Sequence, residues 1–259
     1  MKTPVLFYLL VTVLMFYLPG LAQEKAGSDL FGMLAQARQL TGAGKTAEAS
    51  AVYTAIMKNY PDNQAAVQNW LILNMKKTPT GEKDAILQLD SLFRIYPRNT
   101  GILFFKSFLE VEHNLFNEAL TDIEKIVALQ PDSAGSWILK GQVLGGMKKF
   151  GEAAEAFGRA ADLNPAKSEV WGMKGAALAE TGKYAEALEA VNRAIGLDPN
   201  NAMHYYNRAC IYSLQKERES ALSDLRRTFE LQPSFRENAR NDENFKSLFE
   251  DQEFKKLIK

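Results

Sequence analysis

The stretch AGSWILKGQVLGGMKKFGEAAEAFGRAADLNPAK, residues 134–167, is followed directly by a second stretch of equal length, SEVWGMKGAALAETGKYAEALEAVNRAIGLDPNN, residues 168–201. A Trp, a Lys-Gly pair, an Ala and a Pro occupy the same places in both. Apolar residues recur at intervals of three and four, which is the period of an amphipathic helix. Because the Pro near the end of each stretch cannot continue a helix, the pair predicts a repeated two-helix unit that stops at a proline.

The same register extends along most of the chain. Six of the nine prolines are evenly spaced, except that the first interval is slightly longer, and they are Pro61, Pro97, Pro131, Pro165, Pro199 and Pro233. At a constant offset before these prolines stand Ala49, Ala85, Ala119, Ala153, Ala187 and Ala221. A second position, at a constant distance further upstream of each of these prolines, is usually occupied by a small residue, and Leu73 is the exception. We interpret the small residue and the Ala as the place where the two helices cross closely, since a larger side chain there would overpack the crossing by about 1–3 kcal/mol.

Two segments give this register a family resemblance. Trp137-Ile138-Leu139-Lys140-Gly141 and Trp171-Gly172-Met173-Lys174-Gly175 resemble the W-x2-L-G opening of the tetratricopeptide repeat, with a Lys in place of its Leu. The resemblance implies an all-α fold, a right-handed α-solenoid of six tetratricopeptide hairpins, and it implies that Trp137 and Trp171 fill a buried slot. The repeats fall at residues 30–63, 64–99, 100–133, 134–167, 168–201 and 202–235.

Residues 236–259 are predicted to be a helical cap, since the last unit of a solenoid otherwise exposes an apolar face. A pattern that begins with Asp242 and Phe245 recurs shortly afterwards, beginning with Asp251 and Phe254. Each Asp is a suitable N-cap for a short helix. The cap could also dock a partner, and the sequence leaves that alternative open.

The N-terminus has the pattern of a secretory signal peptide. Lys2 precedes a short uncharged apolar run, and Pro19-Gly20-Leu21-Ala22 offers small residues for cleavage. We therefore predict a signal at 1–22, a linker at 23–29, and an exported protein, periplasmic or secreted. The alternative is an assembly factor anchored in the inner membrane by an uncleaved helix, and on either interpretation the membrane is contacted only through this segment. Cys210 is the single cysteine, so an internal disulfide is excluded.

Composition and motifs argue against several classes of function. Lys and Arg number 31, and Asp and Glu also number 31, so there is no basic excess for a nucleic acid. Gly42-Ala43-Gly44-Lys45-Thr46 lacks the first Gly of a phosphate-binding loop and is predicted to be an interhelix turn. With two histidines in different repeats and no nucleophile motif, we predict no metal, no cofactor and no catalytic residue. An enzyme whose site has an unrecognised form is a further alternative.

The resemblance also implies where a partner would bind. In tetratricopeptide arrays the first helices of successive hairpins line a concave groove, and the positions on that face here are Arg38, Gln68, Ile72, Phe104, Phe108, Ile138, Gln142 and Tyr206. The apolar middle of this set favours an amphipathic helix or an apolar extended segment as the ligand. Alternatively, these side chains only pack between neighbouring first helices. The predicted function is a non-catalytic protein-interaction scaffold of the cell envelope.

Overall fold

The computed structural model of the chain describes residues 28–61, 63–75 and 82–259. The predicted signal peptide at 1–22 and the segment around Pro79 lie outside these residues. Within the described ranges the chain forms helices and no strands. It divides into two compact units: the first ends at Pro131, and the second begins at Asp132.

The first unit contains three helical hairpins. Their helices are α1 (Ser28–Gly42) and α2 (Thr46–Asn59), α3 (Gln64–Met75) and α4 (Glu82–Ile95), and α5 (Thr100–Glu112) and α6 (Phe116–Leu129). The apolar core of this unit is continuous from Leu30 in α1 to Ile102 in α5. Within this unit, α2 is therefore packed between α1 and α3.

The second unit contains three more hairpins and the C-terminal segment. Its helices are α7 (Ala134–Gly146), α8 (Phe150–Leu163), α9 (Ser168–Glu180), α10 (Tyr184–Leu197), α11 (Ala202–Leu214), α12 (Arg218–Leu231), α13 (Phe235–Asn241), a 3-10 helix (Glu243–Leu248) and α14 (Gln252–Leu257). The predicted all-α fold of six helical hairpins followed by a capping segment is confirmed.

The close crossing within a hairpin is clearest at Gly175 in α9. A Cβ atom placed on Gly175 would lie 2.9 Å from the backbone oxygen of Ala187 and 2.4 Å from a methyl group of Val191, both in α10. Ala187 is fully buried. The prediction that a small residue on the first helix meets an Ala on the second is confirmed here.

Gly175→Ala is expected to lower the free energy of unfolding by about 1–3 kcal/mol, because the added methyl group would meet backbone that cannot move aside. Chemical denaturation followed by circular dichroism measures this loss. Gly196→Ala is the matched control, because Gly196 lies in the same hairpin and has open space around it. Since Ala favours a helix over Gly, the control should be neutral or stabilising. Equal effects of the two substitutions would contradict the tight crossing.

Two of the described turns between paired helices contain a left-handed glycine. Gly44 has φ of 72° and Gly182 has φ of 78°, which a glycine adopts without strain. Gly44 lies between the end of α1 and the start of α2, so the prediction that residues 42–46 form an interhelix turn is confirmed.

The C-terminal segment packs on the last hairpin through aromatic side chains. Phe245 and Phe254 are fully buried in a cluster that includes Tyr206 of α11. Both predicted N-caps are confirmed, since Asp242 accepts a hydrogen bond at the start of the 3-10 helix and Asp251 accepts two at the start of α14. Because these caps fix the two short helices that carry Phe245 and Phe254, both rings are held in the apolar cluster of the last hairpin.

The prediction that the repeat tryptophans are buried is wrong. Trp137 and Trp171 are only half-buried. The ammonium of Lys140 lies 5.7 Å from the ring centroid of Trp137, and the ammonium of Lys174 lies 5.3 Å from that of Trp171. Each Lys that replaces the Leu of the repeat motif thus places a cation beside the preceding ring, and the indole remains partly in solvent.

Candidate partner-binding site

The second hairpin, α3 and α4, is open, whereas the others are closed. Over the described residues of α3 and α4, the two helices pack more loosely against each other than the paired helices of the other hairpins do. A cleft of about 500 Å³ is lined by Trp70, Asn74, Leu87, Gln88, Ser91, Leu92 and Ile95. These residues come from α3 and α4, so the cleft lies between the two helices of this hairpin.

The cause of the opening is visible in the repeat register. Leu73 occupies the position where the other hairpins have Gly, Ala or Ser, and Ala85 is its expected partner on α4. A leucine side chain cannot fit in the space that a glycine leaves at a close helix crossing. The two helices are therefore separated, and the cleft lies between them.

The cleft has an apolar wall made by one face of α4. Leu87, Ser91 and Ile95 are spaced four residues apart and thus lie on one side of the helix. Leu87 is 64% exposed and Ile95 is 65% exposed, although both are large apolar side chains. Removing such surface from water stabilises a complex, which makes this wall a candidate contact for a partner.

The opposite wall comes from α3 and adds hydrogen-bonding groups. The side-chain amide of Asn74 donates to the backbone oxygen of Trp70, at 2.7 Å, and to the hydroxyl of Ser50, at 3.3 Å. None of the residues that line the cleft has a charged or acid–base side chain at neutral pH. The cleft can bury apolar groups and exchange neutral hydrogen bonds, and its lining provides no general acid or base.

The predicted groove residues of the first unit lie apart from this cleft. Arg38 is exposed, Gln68 is half-buried, and Ile72 is 50% exposed. Gln68 and Ile72 are each two residues from Trp70, so they point to a different side of α3. Sequence reasoning therefore missed the cleft, although Leu73 in a small-residue position was the signal for it.

Phe104 and Phe108 are the remaining predicted groove residues of this unit. Both are half-buried on α5, four residues apart. The ring of Phe104 packs edge-on against Phe105, with 5.5 Å between centroids. Both phenylalanines thus retain some exposed area, and a role in partner binding stays a prediction.

In the second unit, the predicted groove residues are mostly enclosed. Ile138 is 3% exposed and Tyr206 is 5% exposed. The hydroxyl of Tyr206 donates a 2.7 Å hydrogen bond to Asp242, which belongs to the C-terminal segment. Both amide atoms of Gln142 are buried without a hydrogen-bond partner. Ile138 and Tyr206 therefore act as packing residues in this structure and offer a partner little area.

Titratable groups with perturbed pKa values are candidates for catalytic groups. Burial lowers the pKa of His204, whose two ring nitrogens have no hydrogen-bond partner, and burial raises the pKa of the Cys210 thiol. A neutral imidazole enclosed in this way has no substrate access, and a thiol with a raised pKa is a poor nucleophile. Across residues 28–61, 63–75 and 82–259, no group of three His, Cys, Asp or Glu side chains could hold a metal ion.

Glu110 of α5 has a strongly perturbed carboxyl group. Burial raises its pKa to about 7, and the hydrogen bond from Lys106 opposes this shift only in part. The Glu110 side chain is 2% exposed, and its ion pair with Lys106 is 3.1 Å long. Its other carboxylate oxygen has no hydrogen-bond partner. Glu110 thus belongs to the packed interior of the first unit, outside the cleft lining.

Glu110 is expected to make the first unit less stable as pH rises. Its pKa is about 7 when folded against 4.5 in the unfolded chain, so between these values the folded state holds a proton that the unfolded state has lost. The free energy of unfolding should therefore fall across this window by up to about 3 kcal/mol. Denaturation at several pH values measures the fall, and Glu110→Gln should flatten it. An unchanged pH profile in that variant would contradict the assignment.

Among the described residues, no helix has both the length and the apolar character that a membrane crossing requires.

Comparisons with known proteins agree with this architecture. Residues 139–202 match one tetratricopeptide repeat model, and residues 205–235 match a second. No curated protein matches the sequence. Solved structures with the same fold include MamA, at 21% identity and a TM-score of 0.55, where the match covers 61% of this chain and 93% of that one.

Two further structures are similar. The first is YrrB, a tetratricopeptide repeat protein with an unusual peptide-binding site, at 22% identity and a TM-score of 0.54, covering 70% of this chain and 92% of YrrB. The second is a tetratricopeptide repeat protein from Parabacteroides merdae, at 17% identity and a TM-score of 0.56, covering 90% of this chain and 98% of that one. The family models and the six helical hairpins in one register together show that the chain is a tetratricopeptide repeat protein.

Proposed function

We propose that the protein is a non-catalytic interaction scaffold that binds an apolar side of a partner helix or extended segment in the cleft between α3 and α4. The observation that carries this proposal is the pair of exposed apolar side chains, Leu87 and Ile95, on an uncharged cleft wall. A peptide-binding site is known for YrrB, which has the same fold. The half-buried Phe104 and Phe108 would be a second contact, as the resemblance to the family implies.

The test is a double substitution, Leu87→Asp with Ile95→Asp, compared with Leu163→Asp and Leu197→Asp. The control leucines are 41% and 42% exposed and lie in the other unit. A photoreactive residue at Ser91 should crosslink a partner in the native envelope, and only the first pair of substitutions should abolish the crosslink. Equal loss with both pairs, while helicity is retained, would refute the cleft as the binding site.

We further propose that the protein acts in the cell envelope, as the sequence pattern at 1–22 suggests. A partner in that compartment would meet the hairpins after export. Mass analysis of the mature protein tests this: a chain that begins at Gln23 supports export with cleavage and excludes the anchored assembly factor. An intact N-terminus in the membrane fraction would support the anchored alternative.

A further inference from the structure

Four consecutive hairpins have a basic residue at the same position of their first helix. These residues are equally spaced in the sequence, one repeat apart: Lys106, Lys140, Lys174 and Arg208. Each has two equivalent neighbours at a fixed offset, one on the preceding second helix and one on the second helix of its own hairpin. For Lys106 these neighbours are Asp90 and Asp122. The residues at these positions can therefore be compared from one hairpin to the next.

Lys106 and Arg208 are neutralised by side chains at those positions. The ammonium of Lys106 lies 2.8 Å from Asp90 and 2.7 Å from Asp122. The guanidinium of Arg208 donates to both carboxylate oxygens of Asp224, at 2.7 and 2.9 Å, and to the amide oxygen of Asn192, at 2.7 Å. In both hairpins, oxygen atoms of the second helices surround the cation.

Lys174 lies in the same position without those oxygens. The corresponding residues are Gly158 and Ala190, neither of which has a polar side chain. In the described part of the chain Lys174 forms no ion pair. A Cβ atom added to Gly158 would lie 3.9 Å from the ammonium, so the missing side chain leaves room beside the charge.

A second cation shares this place. The guanidinium of Arg193 lies 4.4 Å from the ring centroid of Trp171, and the Lys174 ammonium lies 5.3 Å from the same centroid. The indole nitrogen donates a 3.0 Å hydrogen bond to the backbone oxygen of Pro165, which fixes the ring. Both cations therefore lie close to the same half-buried ring, and this concentration of positive charge would attract an anion.

We propose that Lys174, Arg193 and Trp171 form a docking site for an acidic segment of a partner protein, whose carboxylate takes the place beside Lys174 that Asp90 holds beside Lys106. A carboxylate is the group that the chain itself uses at this position. The exposed part of Trp171 adds an aromatic surface for an apolar neighbour of the acidic residue. The site lies in the second unit and does not depend on the cleft between α3 and α4.

The test uses a fluorescein-labelled Glu-Glu-Leu-Glu-Glu peptide and the matched Gln-Gln-Leu-Gln-Gln peptide, with binding followed by fluorescence anisotropy at low salt. We expect the acidic peptide to bind the wild-type protein and the neutral peptide to bind much more weakly. Lys174→Met should weaken acidic-peptide binding about tenfold, since it removes a charge-assisted contact. Lys183→Met removes an equal charge from an exposed site in the same hairpin and should have little effect.

A second variant places an acid within the chain. Gly158→Asp supplies the oxygens that Lys174 lacks, so it should block the peptide and raise the melting temperature. Gly151→Asp is the control, because Gly151 lies on the same helix with open space around it. It should affect peptide binding and the melting temperature less than Gly158→Asp does. The proposal fails if both lysine variants weaken binding equally, if both peptides bind alike, or if the wild-type protein does not bind the acidic peptide at about millimolar concentration.

Discussion

Lys106→Met is expected to lower the free energy of unfolding by about 3 kcal/mol or more. The side chains of Glu110 and Asp122 are 2% and 3% exposed, and the Lys106 ammonium contacts both. Burial alone would lower the pKa of Lys106, but hydrogen bonds to Asp122 and Asp90 outweigh it, and the pKa is raised. Removing the ammonium leaves buried carboxylates without their main partner. Urea denaturation followed by circular dichroism at pH 8, where Glu110 is ionised, measures the loss.

Lys125→Met is the matched control, because it removes an equal charge from the same Asp122. The Lys125 side chain is 48% exposed, and its 2.7 Å ion pair with Asp122 is partly solvated, so the expected loss is at most about 1 kcal/mol. A second test adds Glu110→Gln to Lys106→Met, which should recover part of the stability by removing the unpaired charge. Similar losses for the two lysine variants would mean that Lys106 is not the centre of a buried network.

The hairpins could be predicted from the sequence because each one depends on a few positions with strict steric demands. Proline ends the second helix, and a small residue permits the crossing, as at Gly175 and Ala187. Such demands are local and recur with the repeat, so a register of residues is enough to find them. The N-caps at Asp242 and Asp251 were predictable for the same reason.

The cleft could not be predicted in the same way, because the separation of two helices is a three-dimensional result of one misfit. Leu73 marked the second hairpin as unusual, but the register alone does not say whether a large residue is accommodated by repacking or by opening. The structure shows opening, with Leu87 and Ile95 left exposed. Burial was likewise misjudged at Trp137 and Trp171, which are half-buried, each with a lysine ammonium beside its ring.

The ion pairs that join the two helices of a hairpin were also missed. Lys106 pairs with Asp122, and Arg208 pairs with Asp224. The two members of each pair are separated by the same number of residues, which is visible in the sequence. A search for apolar periodicity does not detect it, since every member is polar. Tyr206 shows the complementary error: its repeat position implied a groove, but residues of the C-terminal segment cover it.

Phe245→Ala is expected to lower the free energy of unfolding of the second unit by about 3–5 kcal/mol. The Phe245 ring is fully buried, 5.4 Å from the Tyr206 ring and 5.9 Å from the Phe254 ring, measured between centroids. Its removal would leave a cavity on α11 and detach the middle of the segment that covers the last hairpin. Thermal and urea denaturation measure the loss of stability.

Phe249→Ala is the matched control for Phe245→Ala. Phe249 lies in the same segment, and its ring centroid is 6.2 Å from that of Phe254, but its side chain is only half-buried. Its truncation should cost clearly less, since less area leaves an apolar environment. If the segment closes the last hairpin, Phe245→Ala should also expose apolar surface that binds a hydrophobic dye, and the Phe249 variant should not. Equal losses from the two truncations would mean that the segment lies loosely on α11, and the closing role of residues 236–259 would then have to be abandoned.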